Sequence, residues 1–448
     1  MTDCRTQLAF TFHQSTRIVA DFTGGQITSD AGLLVLRELD ERLGWSQAAA
    51  SALADPRDPA KVIHDTKSLF RQRLFALIAG YEDGNDHNRL RSDPALKLLC
   101  GRTLSEAEDL ASQPTLSRFE NAVTARQVAG LNRLLVQQYI QLHKEHPPQE
   151  MILDVDPTDD PCHGHQQLAL FNGFYDQYMY LPQLVFERHS GLLLAVRLRA
   201  GNAHPAHHLL LVLDPVIRAL QQAFPKAQII VRADAAHAVP ELYRFCEERH
   251  LGYAIGIATN SVFSERTDWA VAWLQQRFDA SGEPCRWLGG FRHQAESWDR
   301  PRRILYKCEV NARGTNRRFL VTNLPGLPAH LWPLYNDRGT AESYIDQLKN
   351  QLACDRLSCS RFVANAFRLL LSAFAYNLLV AFRMQLAGTE LERASAETLR
   401  TRLLKIGARV HQTARRIWVH LSSGFPFREL LAAALARIRC LQPLPLTG

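Results

Sequence analysis

The sequence predicts an α/β protein: a mixed sheet with helices on its faces, a helical region before it and a basic region after it. Three observations lead there. Between residues 146 and 259, short apolar β-patterned runs alternate with amphipathic stretches. The segment "YNDRGTAESYIDQLKN" (335–350) then sets polar side chains along one edge of an apolar helix. From Leu391 onward, ten Lys or Arg stand against three Glu, an excess as large as the +7 of the whole chain.

With 448 residues the chain exceeds one compact core, so several domains are expected. Its 46% apolar and 22% charged residues are ordinary for globular protein and argue against wholesale disorder. The first residues lack a basic start followed by an apolar run, so no secretory signal is expected. Nine cysteines without a CxxC pair fit reduced thiols in a cytoplasm. Residues 362–384 are apolar but broken by Arg368, Asn377 and Arg383, which suits a buried helix better than a membrane span. No membrane partner is expected.

Residues 1–145 read as mostly helical. "TSDAGLLVLRELDERLG" offers Ser29 or Asp30 as N-cap and Gly44 as the stop. A second helix covers about 67–79. The turn "GYEDGNDHNRLRSDP" contains Asp83, Asp86 and His87, which do not match calcium-loop spacing and suit a hydrogen-bonded turn. "SQPTLSRFENAV" provides Ser112 or Thr115 as a cap, with Arg118 near a helix start where it could meet phosphate. "HPPQE" (146–150) is a linker.

"MILDVDPTDD" follows as a strand that alternates apolar and acidic residues, putting Asp154 and Asp156 on one face. Two strands joined at 189–191, a helix over about 206–224, a strand ending at Asp234, a helix and a further buried strand complete the mixed sheet. Residues 260–325 interrupt it with polar, strand-rich sequence containing Trp298. "PCHGH" (Cys162, His163, His165) lacks a second ligand pair at finger spacing, so a zinc site is not expected.

If 335–352 is one α-helix at about 100° per residue, Tyr335, Arg338, Glu342 and Lys349 fall within roughly 60° of each other. Ala341, Tyr344, Ile345, Leu348 and Leu352 form the buried stripe beside them. An i,i+4 pair between Arg338 and Glu342 on a solvated face is the bland alternative. Asp156 and Asp234, however, both end apolar strands, where ligands gather above a sheet. Three converging carboxylates repel and call for protons or divalent cations, and oxygen-only donors favour Mg²⁺ or Mn²⁺. Two such ions could activate a nucleophile and stabilise the leaving oxygen of an in-line displacement at phosphorus. Arg338 and Lys349 would clamp the neighbouring phosphates.

The spacing Tyr335-x2-Arg338-x3-Glu342-x6-Lys349 resembles the signature of bacterial insertion-sequence DDE transposases. Similar stretches recur in "DFTGGQITSDAGLL", "GYEDGNDHNRLRSDP", "SQPTLSRFEN" and "LDVDPTDDPCHGHQQ", across nearly the whole chain. They point to the Tyr-Arg-Glu-Lys signature group within group 1 of the transposase DDE domains. The resemblance implies an RNase H-like catalytic fold in two parts (146–259 and 326–390), split by a β-rich insertion (260–325). It implies a helical N-terminal DNA-binding region (1–145) and a basic helical C-terminal region (391–448). It also implies Asp156, Asp234 and Glu342 as the catalytic, metal-binding acids holding two Mg²⁺, with Mn²⁺ able to substitute. Periodicity alone does not separate Asp156 from Asp154. Where the family carries small residues and an aromatic after the second Asp, this chain has "AAHA", with His237 beside the site.

Expected partners are double-stranded DNA, as terminal inverted repeats and as target, and a second copy in a synaptic homodimer. The expected location is the bacterial cytoplasm, on the nucleoid. Tyr335, Arg338, Lys349, Trp298, Arg118, Arg415 and Arg416 are the expected DNA contacts, with Trp298 stacking on an unpaired base or anchoring the insertion. Two other readings stay open: a nuclease of the same fold that never joins strands, and a silent DNA-binding descendant.

Overall fold

In the computed structural model, residues 7–12, 15–55, 57–104 and 108–442 are described. The chain forms two compact units: Met1–Val123 with Gln351–Arg356 and Phe374–Leu446, and Thr124–Asn350 with Leu357–Ala373.

The second unit is built on an eight-stranded sheet. Numbered in chain order within it, the strands are β1 (Glu150–Pro157), β2 (Gln183–Glu187), β3 (Leu193–Arg197), β4 (Gln228–Ala233), β5 (Gly252–Ile257), β6 (Cys285–His293), β7 (Arg302–Asn311) and β8 (Gly314–Thr322). Their spatial order is β6-β7-β8-β5-β4-β1-β2-β3. β4 is parallel to β1 and to β5, and all other pairings are antiparallel. The 3-2-1-4-5 order of the first five strands, with helices on their faces, is an RNase H-like arrangement.

The insertion differs from its expected form. It opens with a 21-residue helix, Ser261–Ser281, capped by Asn260, and its three strands continue the central sheet because β8 pairs with β5. The polar, Trp-bearing sequence of that helix gave no clear apolar stripe. The N-terminal boundary also moves from 145 to 123. The Ala125–His143 helix belongs with the sheet, where Asn132 accepts from the Val196 backbone N–H (2.9 Å) and Tyr139 meets Phe224 edge-on.

One face of the sheet decides where the site lies. Same-face cross-strand neighbours on β1 and β4 run Ile152/Ile230, then Asp154/Arg232. The first pair joins Ala254, Leu305, Leu320, Leu331 and Trp332 in an apolar core covered by the Pro328–Asn336 helix. In the second, both Asp154 oxygens accept from Arg232 at 2.7 Å, and neither side chain is exposed. Arg232 also donates to the Leu334 carbonyl (2.5 Å) and to Asp337 (3.2 Å). Asp337 in turn holds Arg188 at the end of β2. The sheet is thereby tied to the end of the covering helix.

In the first unit, the expected cap at Ser29 or Asp30 is displaced to Gly32, and the helix runs Leu33–Leu43 to a left-handed Gly44. Asp30 is engaged elsewhere, by Lys405 (2.6 Å) and the Tyr81 hydroxyl (3.0 Å). Gly32 lies against the Leu403–Leu404 backbone, where a Cβ would collide. The polar turn at 83–87 is hydrogen-bonded: Asp83 caps Asn85, and buried His87 sits between Gln72 and Arg73. Burial and the Arg73 charge push His87 down to about 3, so it stays neutral. The C-terminal region is not all helical. Ala408–Gln412 and Ile417–Leu421 form a hairpin that pairs with Gln26–Thr28, followed by the Arg428–Cys440 helix. Its alternating "ARVHQTARRIWVHL" has strand, not helix, period. The Phe362–Met384 helix is long and apolar enough to cross a membrane, yet 83% of its apolar window is buried in protein.

Breaking the Asp154–Arg232 pair leaves a buried charge. Arg232→Met should cost about 3–5 kcal/mol in urea denaturation, with much of that recovered in Asp154→Leu/Arg232→Met. Additive losses in the double variant would contradict the pairing.

Candidate active site

One residue beyond the Arg232/Asp154 rung, the parallel register sets Asp234 beside Asp156. Ala233 pairs with Val155, so the next step carries both acids off the carboxyl ends of β4 and β1. Neighbouring strands lie about 4.8 Å apart, which brings the two carboxylates into electrostatic contact. Here the structure separates Asp154 from Asp156. Asp154 is consumed by a structural ion pair, whereas Asp156 stands at the strand end.

Asp156 is only 5% exposed, and its carboxyl is pushed up to about 7. Burial is the largest cause; Arg338 opposes it, and the charges of Asp234 and Asp154 add to it. One Arg338 nitrogen donates to both Asp156 oxygens, at 2.7 and 2.8 Å. Asp234 responds differently. Burial acts to raise it too, but hydrogen bonding from His237, the His237 and Arg338 charges and the Ala236 N–H hold it below the ordinary carboxylate range. His237 is fully buried, with Nδ1 2.6 Å from Asp234 and Nε2 3.3 Å from the Gln183 amide oxygen. The two ring nitrogens thus bridge the Asp234 carboxylate and the Gln183 side chain.

Tyr335 lies beside the acids, its hydroxyl bonded to Arg338 and its pKa raised by burial. Gly256 on β5 permits this approach, because a Cβ there would collide with the Tyr335 hydroxyl and crowd the Asp234 turn. The acidic run after β1 holds a second cation: Lys349 donates to Asp159 at 2.8 Å. Burial tends to raise Asp159, and the Lys349 contact nevertheless brings it below its ordinary value.

The expected single helix over 335–349 is not found. Pro328–Asn336 and Gly339–Asp346 are separate helices, and Gln347–Gln351 is a π-turn. At the join, Arg338 N–H reaches Tyr335 O, Thr340 N–H reaches Asp337 O and Ala341 N–H reaches Arg338 O, all i→i+3 bonds. That tighter winding, then the wider π-turn, invalidates a constant 100° per residue. Tyr335 and Arg338 still reach the acids, and Lys349 reaches Asp159. Glu342 does not join them; it is exposed in the first turn of its helix. Among the described residues, no three of His, Cys, Asp and Glu are gathered closely enough to hold a metal ion. The convergence expected of three carboxylates is therefore two-thirds present. The donor chemistry of the pair fits a hard cation: oxygen ligands only, mutually repelling, one of them raised by burial.

Trp298 is 7% exposed, edge-on to Tyr243 and His293 with the Arg302 guanidinium over its ring, so it anchors the insertion instead of facing a base. The exposed indoles of the insertion are Trp269, Trp273 and Trp287, with Trp287 edge-on to each of the other two. The i,i+4 spacing of the first two in a polar stretch was a signal for them. Arg118 is exposed on the Gln113–Ala122 helix of the first unit, and its side chain donates to Thr115 (3.2 Å). Arg415 and Arg416 are exposed at the hairpin turn of that unit. Sequence reasoning missed Arg188, Arg232 and Asp337, whose roles depend on contacts distant in the chain.

In metal-free protein the folded state keeps the Asp156 proton between about pH 4 and 7, where the unfolded chain has lost it. Stability should therefore fall as pH rises through that window, by on the order of 4 kcal/mol. Asp156→Asn should flatten this part of the stability profile measured by denaturant titration. A variant profile that keeps the same slope would contradict the assignment.

A family model described as transposase DDE domain group 1 matches residues 10–443. No curated protein matches the chain. A solved structure similar to it is the cryo-EM structure of piggyBac transposase synaptic complex with hairpin DNA, at 10% identity and a TM-score of 0.42, covering 94% of this chain and 87% of that one. With the family model spanning nearly its whole length, the chain belongs to the transposase DDE domain group 1 family.

Proposed function

We propose that the protein is the transposase of a bacterial insertion sequence, cutting at terminal inverted repeats and joining the freed 3′-OH ends to target DNA. The observation that carries this reading is the register of β1 and β4, which puts Asp156 and Asp234 side by side facing Arg338. In this reading Asp156 and Asp234, with Glu342 brought in on its helix, hold two Mg²⁺, and Mn²⁺ substitutes. When bound, such ions supply Lewis acidity at the scissile phosphate and lower the pKa of the attacking oxygen. Cleavage and joining are both in-line displacements at phosphorus, so one site serves both.

The chain's own groups have distinct tasks. Arg338 neutralises Asp156 while no other cation is there and is freed for a phosphate oxygen when one is. Lys349, held by Asp159, is a second cation within reach of the same acidic run. His237 fixes the Asp234 carboxylate in its ionised form and sets its direction. Tyr335 supports Arg338 from the covering helix. Two ends must be processed together, so the working form in this reading is a homodimer, acting on the nucleoid in the cytoplasm. The exposed position of Glu342 favours one second reading, a silent DNA-binding descendant.

Cleavage of a labelled duplex carrying the element's terminal repeat separates them. Wild type should cut at the 3′ ends with Mg²⁺ and not with EDTA. Asp156→Asn, Asp234→Asn and Glu342→Gln should each abolish cutting while DNA binding persists, and His237→Ala should slow it roughly 10- to 100-fold. Binding without cutting in wild type, in Mn²⁺ as well as Mg²⁺ and with a partner end supplied, would overturn the catalytic reading.

A further inference from the structure

The strongest surface outside the site is the small sheet of the first unit. Gln26–Thr28, Ala408–Gln412 and Ile417–Leu421 are antiparallel, with Arg409 paired to Ile27 and His420, and His411 paired to Trp418. Thr28, Ala408 and Val410 point inward and are buried. The opposite face carries Ile27, Arg409, His411, Trp418 and His420, all exposed, with Trp418 at 45%. That face leaves Ile27 and Trp418 exposed among arginine and imidazole side chains.

Its chemistry favours one partner. Between Glu397 and Glu429 the chain has no acidic residue, while Arg409 lies on the hairpin's first strand and Arg415 and Arg416 in its turn. Among the described residues none of these three arginines is in an ion pair. The His411 and His420 rings are parallel within 3° at 5.3 Å, and Trp418 continues the row at 5.9 Å and 5°. Arg416 packs over Trp418, 5.9 Å from its ring centre. Rings arranged this way turn their faces to each other and their edges outward. Those edges carry N–H groups, and guanidinium and indole donate without accepting. A donor-rich, cationic two-stranded ribbon matches the phosphate rims and base edges of a duplex groove. A single strand would require free ring faces on which to stack.

We infer that the outward face of the 408–421 hairpin is a duplex-DNA docking surface, with Arg415 and Arg416 on phosphates and Arg409, His411, Trp418 and His420 along the groove. This rests on the DNA-processing reading above and adds a surface apart from the acids. The test is fluorescence anisotropy of full-length protein with a fluorescein-labelled duplex of mixed sequence, over a NaCl series. Arg415→Gln/Arg416→Gln should lower affinity and reduce the slope of log K against log salt by about 2, and the double Lys variant should restore the slope. Trp418→Ala should weaken binding at every salt concentration without changing that slope. Duplex affinity and slope unchanged in both variants would overturn the proposal. So would loss confined to a single-stranded probe, or an altered oligomeric mass accounting for the loss. If wild type binds but never cuts, the catalytic reading fails while the hairpin result stands. If the hairpin variants bind and cut like wild type, only this inference fails.

Discussion

The Asp154–Arg232 pair is the constraint on which the rest of the site depends. A guanidinium buried beneath a helix must have its donors satisfied, and here one side chain joins β1, β4 and the Leu334–Asp337 turn. A hydrophobic pair at this rung would fill the space, but would not fix the end of the covering helix over the strand ends. Because Asp337 is held by Arg232 and Arg188 together, Arg338 is delivered to Asp156 rather than to solvent. The ion pair thus contributes geometry more than net stability, as buried pairs often do.

Above that rung the structure contains a conflict that it only partly resolves. Two acids side by side at the ends of parallel strands repel, and burial penalises the charge on Asp156 further. Arg338 offsets Asp156 from the helix side; His237 offsets Asp234 from beneath. The two acids consequently titrate in different ranges, one above and one below the ordinary value. In the proposed reading, such asymmetry suits a cation that takes the place of Arg338, with Asp234 already ionised. Cation binding in that reading would then depend on removing a proton from Asp156.

How much of this was legible in the sequence depended on the range of the contacts. The strands ending at Asp156 and Asp234 follow from local apolar runs, and Arg338 and Tyr335 from their spacing. Asp154 and Asp156 share a face, so only the location of Arg232 distinguishes them. The single-helix reading of 335–349 failed because a helical period cannot reveal i→i+3 turns or a π-turn. Trp298 was left between two roles because burial against Tyr243, His293 and Arg302 is a tertiary fact. The hairpin at 408–421 was legible, since its residues alternate, but the density of basic residues drew attention away from that period. Glu342 was expected among the acids on resemblance, and its exposed position is the largest departure from that expectation.

The most direct measurement of the account is Mn²⁺ binding by electron paramagnetic resonance, with wild type, Asp156→Asn and Asp234→Asn, at about pH 8 and about pH 5.5. The account predicts saturable binding by wild type that weakens at the lower pH, as Asp156 keeps its proton, and loss of that binding in both variants. Equal binding by all three proteins, or wild-type binding indifferent to pH across this range, would contradict a cation site at the ends of β1 and β4.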